Sequence, residues 1–294
     1  MPKRGMARAM LLLTSVIWGF AFTAQRAGMD HMGPMMFNCI RFALGALVLA
    51  PFFAGKISSA FIPRAILAGT VLFAGAALQQ WGIVHTTAGK AGFITGLYMV
   101  FVPLLGFITG ANENRYVWSG VALSLLGLWL LSFYRGFGGV NPGDVLVLAG
   151  AFMWAVHVRL IGRYAPMFHP GGFAVVQFGW VAVLSLAAAL LTGEGTTGIP
   201  RAWLPLAYSG ILSVGVAFTI QIFAQRDVKP APAALIMSLE AAFAALGGWL
   251  LLGETMIPRE LLGALLMFTG MAVSQLPGNP FCRRGLTISG NALI

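Results

Sequence analysis

The chain has 294 residues, 59% of them hydrophobic and only 9% charged, with a mean hydropathy of +0.86. Soluble domains carry about 25% charged residues, so this composition excludes a soluble protein and identifies an integral membrane one. The net charge of +10 is spread singly between apolar runs, not gathered on one face with aromatics; this excludes nucleic acid as a partner and leaves the lipid bilayer and a small-molecule substrate.

A helix needs about 20 apolar residues to cross about 30 Å of hydrocarbon. Sliding hydropathy predicts ten such spans, at 8–27, 34–55, 62–83, 89–110, 115–134, 143–163, 170–192, 202–224, 230–252 and 258–277. The first follows "MPKRGMAR". No small-residue cleavage site comes after it, so it reads as an uncleaved first helix. The breaks carry turn chemistry: "HMGP" (31–34), "ANENR" (111–115), "GFGGVNPGD" (136–144), "HPGG" (169–172) and "GEGTTG" (193–198). The last of these fits G-x-G-x-x-G, but that motif needs a preceding strand and a βαβ unit. Between two membrane spans it reads as a flexible loop. No loop is long enough to house a soluble catalytic domain, and the tail, 278–294, is expected to be disordered and cytoplasmic. Cys39 and Cys282 are too far apart and too differently placed to suggest a disulfide framework or a metal site. No cofactor is expected, and there is no Walker A sequence to suggest ATP as the driving force.

With the N-terminus inside, twelve Lys and Arg fall in inner loops and tails. Five fall outside (Arg26, Lys90, Arg135, Arg201, Arg259), and Arg41 lies within span two. This asymmetry puts both termini in the cytoplasm.

The halves repeat. "IPRA" occurs at 62–65 and 199–202, Trp18 and Trp154 sit at equal depth in spans one and six, and "GPMMF" (33–37) and "HPGGF" (169–173) open spans two and seven. A spacing of about 136–142 residues maps five helices onto five. Five is odd, so the second copy enters from the opposite face. The expected fold is an all-α membrane protein of ten transmembrane helices. It forms two inverted five-helix repeats, 1–140 and 141–277, around a central cavity. Transporters built this way bind substrate near the midplane, and nothing in the pattern requires an oligomer.

Pairing the halves brings polar residues to one depth: Ala21 with His157, Arg41 with Gln177, Gln79 with Gln221, and Tyr98 with Glu240. Polar groups facing lipid are costly, and intramembrane ionisable ones are usually functional, so these should face inward. Glu240 can bind an ammonium group, carry a proton or hold the halves together; it can equally be a structural ion pair or a neutral buried acid. His157 can relay protons or bond a ligand, or simply bond a neighbouring helix. Arg41 can snorkel to the interface or meet a substrate carboxylate. Lys90, near a helix N-terminus, can attract anions or sit at the interface as lysines commonly do. Gln79 and Gln221 line a cavity or bond between helices. Tyr98, Trp18 and Trp154 wall a pocket or serve plain packing. Trp81, Trp118, Trp180 and Trp203 read as interface anchors, and the Met29, Met32, Met35, Met36 cluster as gap-filling or a gate. Spans four and nine should be central: Gly92/Gly96, Gly106/Gly110, Ala241/Ala245 and Ala244/Gly248 permit close approach, and Pro103 should bend span four.

At "SVIWGFAF" (15–22), "TTAGKAGFITGLYMVFVPLLG" (86–106) and "SLEAAFAALGGWLLLGE" (238–254) the chain resembles the drug/metabolite transporter superfamily, specifically its ten-helix EamA-type exporters. The likeness spans residues 8–277 and extends, less specifically, to YddG-like amino-acid exporters. It implies secondary export of small metabolites, amino acids (aromatic or apolar ones included) before sugar or nucleotide derivatives. One departure is that Asn112 stands where the repeat-two pattern has Glu254. A membrane-embedded enzyme using His157 and Glu240 as an acid–base pair is the alternative, but no nucleophile or metal set accompanies them. A channel would need a continuous pore, often built from several subunits.

Overall fold

The computed structural model describes residues 2–111, 113–132, 141–252 and 257–277. Asn112, Arg135, Glu254 and Cys282 lie outside them. Every regular element among the described residues is helical: α1 (Pro2–Met29), α2 (Pro34–Phe53), α3 (Ile62–His85), α4 (Ala88–Gly96), α5 (Tyr98–Ile108), α6 (Arg115–Ser132), α7 (Pro142–Tyr164), α8 (Pro170–Leu191), α9 (Trp203–Ala207), a π-helical run (Tyr208–Phe218), α10 (Thr219–Ala224), α11 (Pro230–Met237), α12 (Glu240–Leu252) and α13 (Pro258–Ser274). In apolar surroundings a backbone must satisfy its own hydrogen bonds, which leaves helices as the open-chain solution. Proline opens many of them at the first or second position (α2, α3, α7, α8, α11 and α13). There its missing N–H costs nothing.

Among the described residues, seven helical segments are long and apolar enough to cross a membrane, including Ala88–Ile108 and Trp203–Ala224. Arg115–Leu131 and Pro230–Leu246 are shorter apolar helices, and α13 has 17 residues. Span nine corresponds to α11 and α12 over 230–252, span five to α6 as far as the described residues reach, and span ten to α13, which ends three residues before the predicted 277. The first helix, in contrast, starts well before residue 8 and carries Lys3, Arg4 and Arg8 on its own opening turns.

Hydropathy missed three interruptions. Span four breaks at Leu97, where i→i+3 bonds close the turn (Leu97 N to Ile94 O, 3.2 Å; Val100 N to Leu97 O, 2.9 Å). Pro103, expected to cause the bend, sits inside α5 instead. Span nine breaks at Ser238–Leu239 in the same manner (Leu239 N to Ile236 O, 3.3 Å; Ala241 N to Ser238 O, 3.2 Å). Tyr98 and Glu240, paired by the repeat, are thus the first residues of α5 and α12. Span eight carries the π run, and such runs often mark functional sites. Two side chains of α1 bond its carbonyls: Thr14 Oγ1 to Ala217 O and Trp18 Nε1 to Ser213 O, both 3.3 Å. In return, Tyr208 OH donates to Ile17 O at 2.8 Å.

Packing partners correspond between the halves. α3 lies along α7 as the π run lies along α1, and α3 touches α8 as the π run touches α2. α4 and α5 pack on α7 as α11 and α12 pack on α1, while α2 pairs with α8 and α6 with α13. Lipid tails are as apolar as leucine, so helices associate through close packing of small residues. The seam between α6 and α13 shows this. A Cβ at Gly127 would fall 2.5 Å from Gly263 O, and one at Gly120 would fall 2.5 Å from Gly270 O. The α3–α7 seam repeats the arrangement at Gly82 and Gly143. Of the span-four glycines expected to permit close approach, Gly92 and Gly96 make ordinary contacts and Gly110 is a turn residue with φ +80°, while a Cβ at Gly106 would meet the Arg159 side chain at 2.6 Å, not a helix backbone. Span nine is approached closely by Gly19 of α1, whose Cβ would sit 2.9 Å from Glu240 O and Ala244 N.

The "GEGTTG" segment is tethered, not loose. Gly193 ends α8 with φ +71°, and Glu194 Oε2 accepts from Met36 N (2.8 Å) at the start of α2. Met32, Met35 and Met36 are buried together with Phe37, Ala77 and Leu206, as gap-filling predicts. Trp81, Trp118 and Trp203 are exposed, whereas Trp180 Nε1 donates to Thr70 Oγ1 at 3.0 Å.

Candidate functional site

Where α1, α2, α3, α7, the π run and the two broken spans converge, they leave a cavity of about 40 Å³, room for about three waters. In this conformation the walls lie close together.

Helical periodicity assembles the lining. α1 contributes Trp18, Ala21, Phe22 and Gln25, a single i, i+3, i+4, i+7 stripe, and α7 contributes Trp154, His157 and Val158 in the same phase. Arg41 comes from α2, Gln79 from α3, and Ser213, Phe218 and Gln221 from the π run and α10. Thr95 and Tyr98 flank the break in span four, and Glu240 follows the break in span nine. Neither α6 nor α13 supplies a lining residue.

One wall is aromatic. Phe218 stands 4.6 Å from Trp18 and 5.7 Å from Trp154 between ring centroids, the latter pair stacked, and 6.2 Å from His157. Another wall is a closed amide network. Gln79 Oε1 accepts from Trp154 Nε1 (2.8 Å) and Thr95 Oγ1 (3.4 Å), while Gln79 Nε2 donates to Gln25 Oε1 (3.2 Å). Gln221, its repeat mate, donates from Nε2 to Gln225 Oε1 (2.9 Å), and its Oε1 is left without a partner. His157 Nε2 donates to Gln177 Oε1 (3.1 Å), leaving Nδ1 buried and unpartnered.

Of the ten residues singled out from sequence, Trp18, Arg41, Gln79, Tyr98, Trp154, His157, Gln221 and Glu240 line this one cavity. Two do not. Gln177 lies behind His157 and touches the cavity only through it. Lys90 pairs with Asp144, an acid held at the start of α7 by the Asn141 capping box and by Thr86 Oγ1 (2.9 Å). The interfacial lysine has a carboxylate waiting at a neighbouring helix end, which sequence spacing cannot reveal. Arg41 does not snorkel: it is 3% exposed, with its guanidinium 5.0 Å from the Phe42 ring centroid and 5.9 Å from that of Phe37. Phe22, Gln25, Thr95, Val158, Ser213 and Phe218, which also line the cavity, were missed. Each but Ser213 lies three or four positions from a residue already named, so following each polar residue along its helix face would have found them. Ser213 contributes through the π run, whose period sequence does not disclose.

Charge is the cavity's other feature. Arg41 Nε and Glu240 Oε1 are both buried without hydrogen-bond partners, and no ion pair joins either residue to another among the described residues. Glu240 sits at a helix N-terminus, where the backbone dipole favours a negative charge. No cluster of His, Cys, Asp and Glu able to hold a metal exists among the described residues.

The EamA-like transporter family model matches residues 6–133 and again 141–275. An uncharacterized transporter of Archaeoglobus fulgidus is 31% identical over 277 residues, 93% of this chain and 87% of that protein. A protein of Salmonella typhimurium named as a probable amino-acid metabolite efflux pump is 27% identical over 289 residues, 90% of this chain and 93% of its own length. A protein crystal structure with a TM-score of 0.77 covers 92% of this chain and 96% of its own at 18% identity, a likeness of fold alone.

Proposed function

The chain belongs to the EamA-like transporter family and is a membrane transporter, not an enzyme; we propose that it exports amino acids across a bacterial inner membrane by alternating access. The observation that carries this reading is the convergence of eight polar and aromatic residues from both halves on one buried cavity. The paired packing of the halves supports two inverted five-helix repeats, 1–140 and 141–277, with both termini in the cytoplasm. Rocking one repeat against the other exposes the cavity first to one side and then to the other. The broken helices at Leu97 and Ser238–Leu239 supply the flexible joints at that depth. In this reading Glu240, Arg41, His157, Gln79, Gln221, Tyr98, Trp18 and Trp154 contact substrate, and Gln177 orients His157. The amino-acid assignment draws on the cavity's mix of carboxylate, guanidinium, amides and aromatic rings, and on the name of the Salmonella typhimurium relative.

The test is uptake and counterflow in proteoliposomes holding the full chain. Labelled amino acids should cross, and Glu240→Gln should lower the rate or change its pH dependence. Wild-type protein that moves sugar or nucleotide derivatives but no amino acid would overturn the assignment. Protein that moves none of a broad metabolite panel would overturn the export reading itself.

A further inference from the structure

Several buried or half-buried charges among the described residues are consumed locally. Asp144 holds Lys90 and caps α7. Glu260 Oε2 accepts from Ile257 N at 3.1 Å. Arg159 donates to Thr109 Oγ1 at 2.8 Å and to Val102 O at 3.3 Å. Among the described residues Arg41 and Glu240 differ from these: both are 3% exposed, both line the central cavity, and they do not pair with each other. An uncompensated buried charge is costly, and an intramembrane one is a marker of function.

A ligand of single charge meets only one of the two groups. A cation on Glu240 leaves the guanidinium unpaired, and an anion on Arg41 leaves the carboxylate unpaired. A molecule with both charges satisfies both and adds no net charge to the membrane interior. We propose that the cavity is a polarised zwitterion site. Arg41 takes the α-carboxylate, Glu240 takes the ammonium, and the wall of Trp18, Phe218 and Trp154 takes an aromatic or large apolar side chain. The free Gln221 Oε1 can only accept, so it suits a donor such as the ammonium. Phe218 centres the ring wall, so it sets how large a side chain fits. This deepens the transporter reading and rests on it.

The experiment uses the full chain in proteoliposomes of phosphatidylethanolamine and phosphatidylglycerol, with labelled L-phenylalanine as the probe. Unlabelled phenylalanine should compete at least about tenfold better than phenethylamine, which lacks the carboxylate, or phenylpropionate, which lacks the amine; tenfold is one modest charge contact. Arg41→Gln should erase the preference over phenethylamine and keep that over phenylpropionate, and Glu240→Gln should do the reverse. Phe218→Ala should weaken competition by phenylalanine more than that by alanine. Phenethylamine or phenylpropionate competing as well as phenylalanine against wild-type protein overturns the zwitterion site while leaving amino-acid transport standing. That comparison needs no variant to fold. Absence of any amino-acid transport overturns the underlying reading instead.

Discussion

Replacing Gly127 by alanine should loosen the α6–α13 seam without touching the cavity. The new Cβ would lie 2.5 Å from Gly263 O and 2.8 Å from Met267 N, where ordinary contact begins at 3.4 Å. The helices must therefore part by about 0.9 Å, the difference between 3.4 and 2.5 Å. The obstacle is backbone, which cannot swing aside as a side chain would. Overpacking of this kind costs about 1–3 kcal/mol. Alanine is also the better helix former by about 1 kcal/mol, so the proper control is Gly179→Ala in α8, where a Cβ meets nothing within 4 Å. The propensity gain cancels between the two variants and the difference isolates the seam. At about 2–4 °C per kcal/mol for large chains, Gly127→Ala should melt several degrees below Gly179→Ala in detergent. Because α6 and α13 line no part of the cavity, substrate competition should be unchanged in both. Gly263→Ala should cost a similar amount, its Cβ falling 2.6 Å from Gly127 O. The double variant should cost less than the sum, since the first alanine has already separated the helices. Equal melting of Gly127→Ala and Gly179→Ala would refute the reasoning.

Two further outcomes are expected. Glu194→Ala should destabilise the protein by about 0.5–2 kcal/mol, the usual cost of a lost helix cap, because its carboxylate accepts from Met36 N at 2.8 Å; melting curves of Glu194→Ala and Glu194→Gln check this, and an unchanged midpoint in both would refute it. His169 caps α8, its Nδ1 accepting from Gly172 N at 3.3 Å, and desolvation and the neighbouring Lys56 and Arg226 charges hold its pKa below the ordinary histidine value of 6.5. The unfolded chain then binds the proton more readily, so the stability that His169 contributes is full above pH 6.5 and is lost as pH falls through that value towards the lower folded pKa. Melting of wild type and His169→Asn from neutral to mildly acid pH should show a decline in the first that is smaller in the second, and parallel curves would refute it.

Much of the site was legible because depth and pairing can be read along a chain. Glu240, Tyr98, Gln79 and Gln221 could be placed at one level from spacing alone, and the cost of polar groups in lipid turned them inward. Lys90 and Arg41 show where that logic stops. Both are cations near a span end, yet one finds Asp144 on another helix and the other faces the cavity between phenylalanine rings. Which outcome applies depends on a neighbour supplied by a different segment. The breaks beside Tyr98 and Glu240 went unseen for a related reason. Hydropathy averages over a window and is blind to two or three residues that close i→i+3 bonds.

The sequence by itself determined that this protein lives in a membrane, that it is helical, that its halves correspond, and which polar residues share a level. These follow from transfer energies and chain periodicity, which are properties of composition and order. Only the tertiary structure decided that Arg41 and Glu240 share a cavity without pairing, that glycines of α6 and α13 set one backbone against the other across a helix seam, and that Phe218 centres the aromatic wall. Those depend on the rotation of each helix about its own axis and on what its neighbour presents, and both are fixed only when all the helices pack at once.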